Sequence, residues 1–87
     1  MPYRVEFTPS GYHDLRRLPQ HVRGRMEETV HDLGRNPRPS GVRKLEGRER
    51  TWRIRVGPFR IVYNIYDDRK LVIIIRVVRR SETTYRL

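Results

Sequence analysis

Arg53, Arg55 and Arg60 sit at alternate positions of two largely apolar runs, Trp52-Arg53-Ile54-Arg55-Val56 and Phe59-Arg60-Ile61-Val62-Tyr63, separated only by Gly57-Pro58. Period-two alternation marks two strands, each with one buried face. Glycine tolerates the positive φ of a type II′ bend, so Gly57-Pro58 reads as the whole hairpin loop. In that register Val56 faces Phe59, Arg55 faces Arg60, Ile54 faces Ile61 and Arg53 faces Val62. Trp52, Ile54, Val56, Phe59, Ile61 and Tyr63 then share one face, and Arg53, Arg55 and Arg60 the other. Like charges directly opposite one another destabilise a sheet by roughly a few tenths of a kcal/mol or more. A fold built for stability alone would avoid Arg55 opposite Arg60. One that grips a phosphate between two guanidinium forks needs it.

The same count, carried across Asp67-Asp68-Arg69-Lys70, sets Val77 beside Arg60. It puts Arg79 on the open face and points Arg80 away, although a one-residue bulge would exchange the two. Either Arg79 or Arg80 therefore joins the cluster, and Tyr85 follows closely enough to fold back onto it.

Overall charge points the same way. The chain carries 20 Lys and Arg against 10 Asp and Glu, a net of +10, and all but Lys44 and Lys70 of the basic residues are arginine. Residues 1–37 hold six basic and five acidic side chains, whereas residues 38–87 hold fourteen and five. An evenly solvated basic surface predicts no such asymmetry, and a polyanionic partner does: nucleic acid, an acidic protein, or each in turn.

The elements that must position these arginines follow from the rest of the sequence. Tyr3 to Phe7 alternates as a short strand. Thr8-Pro9 supplies an N-cap and a proline at the first helical position. Tyr12, Leu15 and Leu18 form the apolar stripe of a short helix ended by Pro19. Val22, Met26, Val30 and Leu33 trace a second helix closed by Gly34 and Asn36-Pro37, and the short connection predicts an antiparallel helix hairpin. Residues 42–50 are too polar to assign. Leu71 to Val78 is almost continuously aliphatic, as in a central strand. The order is β-α-α-β-β-β: a single α+β domain over residues 1–87, with a helix hairpin on one face of a four-stranded, mostly antiparallel sheet.

Lys44-Leu45-Glu46-Gly47, Trp52-Arg53-Ile54-Arg55-Val56-Gly57, Phe59-Arg60-Ile61-Val62-Tyr63 and Arg79-Arg80-Ser81-Glu82-Thr83-Thr84-Tyr85 resemble, in order and spacing, the RelE branch of the RelE/ParE toxin superfamily. The resemblance spans essentially the whole chain. It implies a RelE-like fold and a toxin of a toxin–antitoxin pair that enters the ribosomal A site and cleaves mRNA there. It also implies neutralisation by a cognate antitoxin that wraps the toxin, which the charge predicts to be acidic. By position, Arg53 and Arg55 match two strand positions that are often lysine in the family. Arg60 matches the arginine of the following strand, Arg80 (or Arg79) the arginine near the last strand's end, and Tyr85 the C-terminal tyrosine. Lys44, Arg48 and Arg79 are further candidates for RNA contact.

Cleavage without a metal means attack of a 2′-hydroxyl on the neighbouring phosphate. It needs a base, cations for the developing charge and an acid for the leaving 5′-oxygen. Arg53, Arg55, Arg60 and Arg80 suit the charge. They cannot serve as base, since guanidinium stays protonated and accepts no hydrogen bond. Tyr85 is the candidate base or orienting group, its ordinary pKa of about 10 lowered by a cationic setting. No cofactor or metal site is predicted: His13, His21 and His31 lie in the helical half without metal-ligand spacing, the glycines form no phosphate loop, and there is no cysteine. No apolar run spans a membrane and none resembles a leader, so the chain reads as cytoplasmic. Two alternatives remain: a ParE-like inhibitor of DNA gyrase, and a module whose arginines bind nucleic acid without cutting it.

Overall fold

A computed structural model of the chain describes residues 2–80. The elements are β1 (Arg4–Phe7), α1 (Pro9–Arg16), α2 (Gln20–Arg35), β2 (Arg43–Lys44), β3 (Thr51–Val56), β4 (Phe59–Tyr66), a 3-10 turn (Asp67–Arg69) and β5 (Leu71–Arg79). They form one five-stranded sheet in the order β1-β5-β4-β3-β2, antiparallel except where β1 runs parallel to β5. The fold class is the one the sequence indicates, with one strand more. The extra strand, β2, lies in the polar stretch whose two paired residues, Arg43 and Lys44, are both exposed. An edge strand with no buried face carries no apolar alternation to betray it.

Helix α1 starts where the sequence says it should, with the Thr8 hydroxyl accepting from Gly11 N–H at 3.0 Å and Pro9 at the first helical position. Helix α2 continues through Gly34 to Arg35, and Asn36 takes the C-cap, two residues later than the glycine suggests. Leu15, Met26, Val30 and Leu33 of the helices close over Val56, Phe59, Ile61, Tyr63, Ile65, Val72, Ile74 and Val77 of the sheet. Trp52 and Ile54 pack against that core from β3 while remaining partly exposed. The Tyr63 hydroxyl is satisfied in the interior by donating to Pro37 O at 2.7 Å, and burial pushes its pKa up.

The β3–β4 hairpin has the expected register: Val56 pairs with Phe59, Arg55 with Arg60, Ile54 with Ile61 and Arg53 with Val62. Gly57 has φ +58°, and the proline after it fixes a negative φ, which is the II′ combination. The β4–β5 register departs from the simple count. Tyr63 pairs with Ile74 but Val62 with Arg76, so Ile75 is an unpaired bulge residue. Beyond it Val78, not Val77, lies beside Arg60, and Arg79 pairs with Phe59 on the helix-covered face.

Helix α1 holds the bulge. Thr8 N–H donates to Ile74 O at 2.9 Å, and the Thr8 hydroxyl lies 3.3 and 3.1 Å from Ile74 O and Ile75 O. Gly11 passes so close that a Cβ there would stand 2.5 Å from Ile74 O, which only glycine allows. Past the bulge β5 has lost β1 as a neighbour, since their pairing ends at Phe7 and Ile74. Asp14 of α1 takes over, its Oδ2 accepting from Val77 N–H at 2.9 Å and from Arg76 Nε at 2.7 Å.

Candidate nucleic-acid interface

The sheet face away from the helices gathers arginines from four neighbouring segments. Strand β3 supplies Arg53 and Arg55, and β4 supplies Arg60 directly opposite Arg55. Strand β2 supplies Arg43, directly opposite Arg53. Arg80 follows the end of β5, its N–H donating to Pro58 O at 2.7 Å and its guanidinium reaching Gly57 O at 3.4 Å. Those two bonds tie Arg80 to the tip of the β3–β4 hairpin, next to Arg55.

Electrostatics measures how crowded this charge is. Repulsion from Arg80, then loss of hydration, then Arg53, Arg60 and Arg43 draw the Arg55 guanidinium below its ordinary pKa. Among the described residues none of these five arginines has an acidic partner, although Arg4, Arg38 and Arg76 each have one. Arg60 is half-buried, and its Nε is hidden from solvent with no hydrogen-bond acceptor among the described residues. A buried donor left unmatched costs about 1–3 kcal/mol. A site that waits for an anion has reason to carry that cost.

Of the sequence-predicted site residues, Arg53, Arg55, Arg60 and Arg80 come together on this face. The bulge decides between the last two arginines: Arg79 turns to the other side, its guanidinium 5.1 Å from the Phe59 ring centre. There it lines a cleft of about 330 Å³ with Asp14, Arg17, Leu18 and Arg76. The expected placement of Val77 beside Arg60 and Arg79 on the open face is therefore corrected, because one inserted residue reverses the alternation after it. Lys44 lies on the Trp52 side of the sheet, 6.0 Å from the indole, and Arg48 in the exposed turn after β2. Neither adjoins the cluster. Tyr85 lies outside the described residues. Arg43 is the residue that the sequence did not reveal, since finding it requires knowing that β2 exists and pairs with β3.

His13 lies on α1, and His21 and His31 on α2. Among the described residues no three of His, Asp and Glu converge as metal ligands. No helix among them is long and apolar enough to cross a membrane. Tyr66, on the open-face parity, has Arg50 5.2 Å from its ring and accepts a 3.2 Å hydrogen bond from Asn64.

Known proteins are similar to this chain in both sequence and architecture. Residues 5–84 match the family described as ParE toxin of type II toxin–antitoxin system, parDE. The chain is 36% identical to toxin RelG of Mycobacterium tuberculosis over 86 residues, covering 94% of this chain and 95% of that one. Its fold superposes on the toxin–antitoxin complex RelBE2 of M. tuberculosis with a TM-score of 0.80 at 34% identity, covering 94% and 95% of the two chains. It superposes on the archaeal RelE–RelB complex of Pyrococcus horikoshii OT3 with a TM-score of 0.82 at 28% identity, covering 95% and 100%. With helices on one side of the sheet and a cluster of arginines on the other, the chain belongs to the ParE toxin family of type II toxin–antitoxin systems and is, within the wider RelE/ParE superfamily, a RelE-type toxin.

Proposed function

We propose that this toxin is an endoribonuclease that cuts mRNA in the ribosomal A site, without a metal ion. The observation that carries the reading is the Arg55–Arg60 cross-strand pair, joined by Arg80 at the hairpin tip and by Arg53 along β3, with no acidic partner among the described residues. A phosphodiester set between the two guanidinium groups meets donors already in place, and neither strand has to move.

In the reaction the substrate's 2′-oxygen bonds to phosphorus and the P–O5′ bond breaks, leaving a cyclic phosphate and a free 5′-hydroxyl. The 2′-hydroxyl proton passes to a base, and the departing oxygen takes up a proton. The arginines stabilise the charge that accumulates on phosphorus between these events, each such donor being worth about 10²–10³ in rate. They cannot take the proton. Tyr85 is assigned that role by its family position alone; a phenol brought to an arginine cluster would have its phenolate favoured. Ribosomal positioning of the mRNA supplies the rest by fixing the attack geometry. Lys44, Arg48 and Arg79 lie off the cluster and could touch RNA only outside the reacting group.

The partner that silences the cluster is an acidic antitoxin. The net charge of +10 favours one, and solved relatives are complexes with RelB. Both would act in the cytoplasm.

Mapping mRNA 5′ ends after induction tests the reading. Codon-phased cuts are expected with the wild type, leaving cyclic-phosphate and 5′-hydroxyl ends, and absent with Arg80→Ala. The family description favours a second reading, a ParE-like action on DNA gyrase. DNA damage with intact mRNA would establish that one instead.

A further inference from the structure

The open face carries not one like-charge cross-strand pair but two. Arg55 faces Arg60, and Arg53 faces Arg43. The pairs are offset by two residues along β3, about 7 Å at the ordinary rise of a strand. That step is comparable to the distance between neighbouring phosphates of an extended single strand. Resting on the nuclease reading above, we propose that Arg43 and Arg53 form a second phosphate subsite, holding the nucleotide next to the cleavage position, and that Arg43 is a binding residue of this toxin.

Three observations support the assignment. Strand β2 is only two residues long, and it is pinned by Leu45 N–H donating to Thr51 O at 2.8 Å, so the chain turns back to pair just where Arg43 meets Arg53. Glu46 and Glu49 are close in sequence, yet neither forms an ion pair with Arg43 or Arg53, nor does any other described residue. Val62, fully buried and without a charge, occupies the β4 position opposite Arg53, so the cation directly across from Arg53 is Arg43 on β2. The cationic surface is thus two adjoining forks stepped along β3, one opening toward β4 and the other toward β2, the pattern suited to successive phosphates rather than to one. Simple protection of an exposed sheet edge would be met by any charged residue, whereas this reading requires a cation at position 43.

The test uses the whole toxin and a short RNA with 2′-O-methyl groups, which binds but cannot be cut, titrated at several salt concentrations. Each phosphate contact on a single strand contributes about 0.7 to the slope of log affinity against log salt. Arg43→Ala should lower the slope by about that amount and weaken binding severalfold, and Arg43→Lys should restore the slope. In ribosome-dependent cleavage the loss should fall on KM rather than on kcat. Arg17→Ala, on the opposite side of the molecule, should leave the slope alone. An unchanged slope in Arg43→Ala, or an equal fall in Arg17→Ala, overturns the subsite. Should the wild type cut no RNA while Arg43→Ala still lowers the slope, the nuclease reading fails and the subsite stands.

Discussion

Arg38 and Arg60 show two opposite uses of the same side chain. Arg38 grips Asp67 with both terminal nitrogens, at 3.1 and 2.8 Å, lies 5.1 Å from the Trp52 ring centre, and shares Asp67 with the Tyr3 hydroxyl. Both ends of the fork and one face of that guanidinium are engaged, and it fastens the loop after α2 to the turn between β4 and β5. Arg60 has a second arginine opposite it and a hidden Nε with no acceptor among the described residues. One is a rivet; the other is an unmet demand for negative charge. In a chain with eighteen arginines the residue type says nothing about purpose, and what distinguishes them is whether the fold supplies the anion.

The largest expected break in this contrast is Arg60→Ala. Cleavage in a ribosome assay should fall at least about 100-fold. The unfolding midpoint should hold or rise slightly, because a like-charge pair disappears. A matching loss of stability would place Arg60 among the rivets. Next comes Asp14→Ala, which strips Arg76 of this carboxylate and leaves Val77 N–H without its acceptor. Denaturant titration should show a loss of about 2 kcal/mol.

A subtler probe is acid. Arg38, then the Tyr3 hydroxyl, hold the Asp67 carboxyl down to about 2. A carboxylate depressed on folding contributes stability that is complete above its unfolded pKa of about 3.9 and disappears as pH falls through its folded value. Between pH 4 and pH 2 the wild type should therefore lose more stability than Asp67→Asn, measured by thermal unfolding at fixed salt. The smallest effect expected is that of Arg38→Lys, which keeps the charge but not the fork or the flat contact with Trp52. It should lower the melting temperature slightly and leave cleavage unaltered.

How much of this was legible depends on where information sits in a sequence. Alternation around Gly57-Pro58 is strong because each apolar residue has a buried face to fill, so the Arg55–Arg60 pairing could be counted from the turn outward. The Thr8-Pro9 start of α1 was equally plain, since cap and proline both act through the local backbone. Strand β2 was not, because two exposed residues at an edge leave no pattern. The bulge at Ile75 was hidden for the opposite reason: Ile73, Ile74 and Ile75 are identical, so nothing in the aliphatic run marks which one goes unpaired. Its cause lies some sixty residues away, in Thr8 and Gly11.

That unpaired isoleucine makes strand register, rather than side-chain chemistry, the selector of which arginine reaches the open face. Were Ile75 drawn into the ladder, everything downstream would turn by half a strand period, presenting Arg79 where Arg80 now stands, whereas deleting Ile75 would leave Val62 paired with Arg76 and Phe59 with Arg79 as they are. In a fold built this way, a substitution at Thr8 or Gly11 that released the bulge would exchange two arginines far from the altered residue.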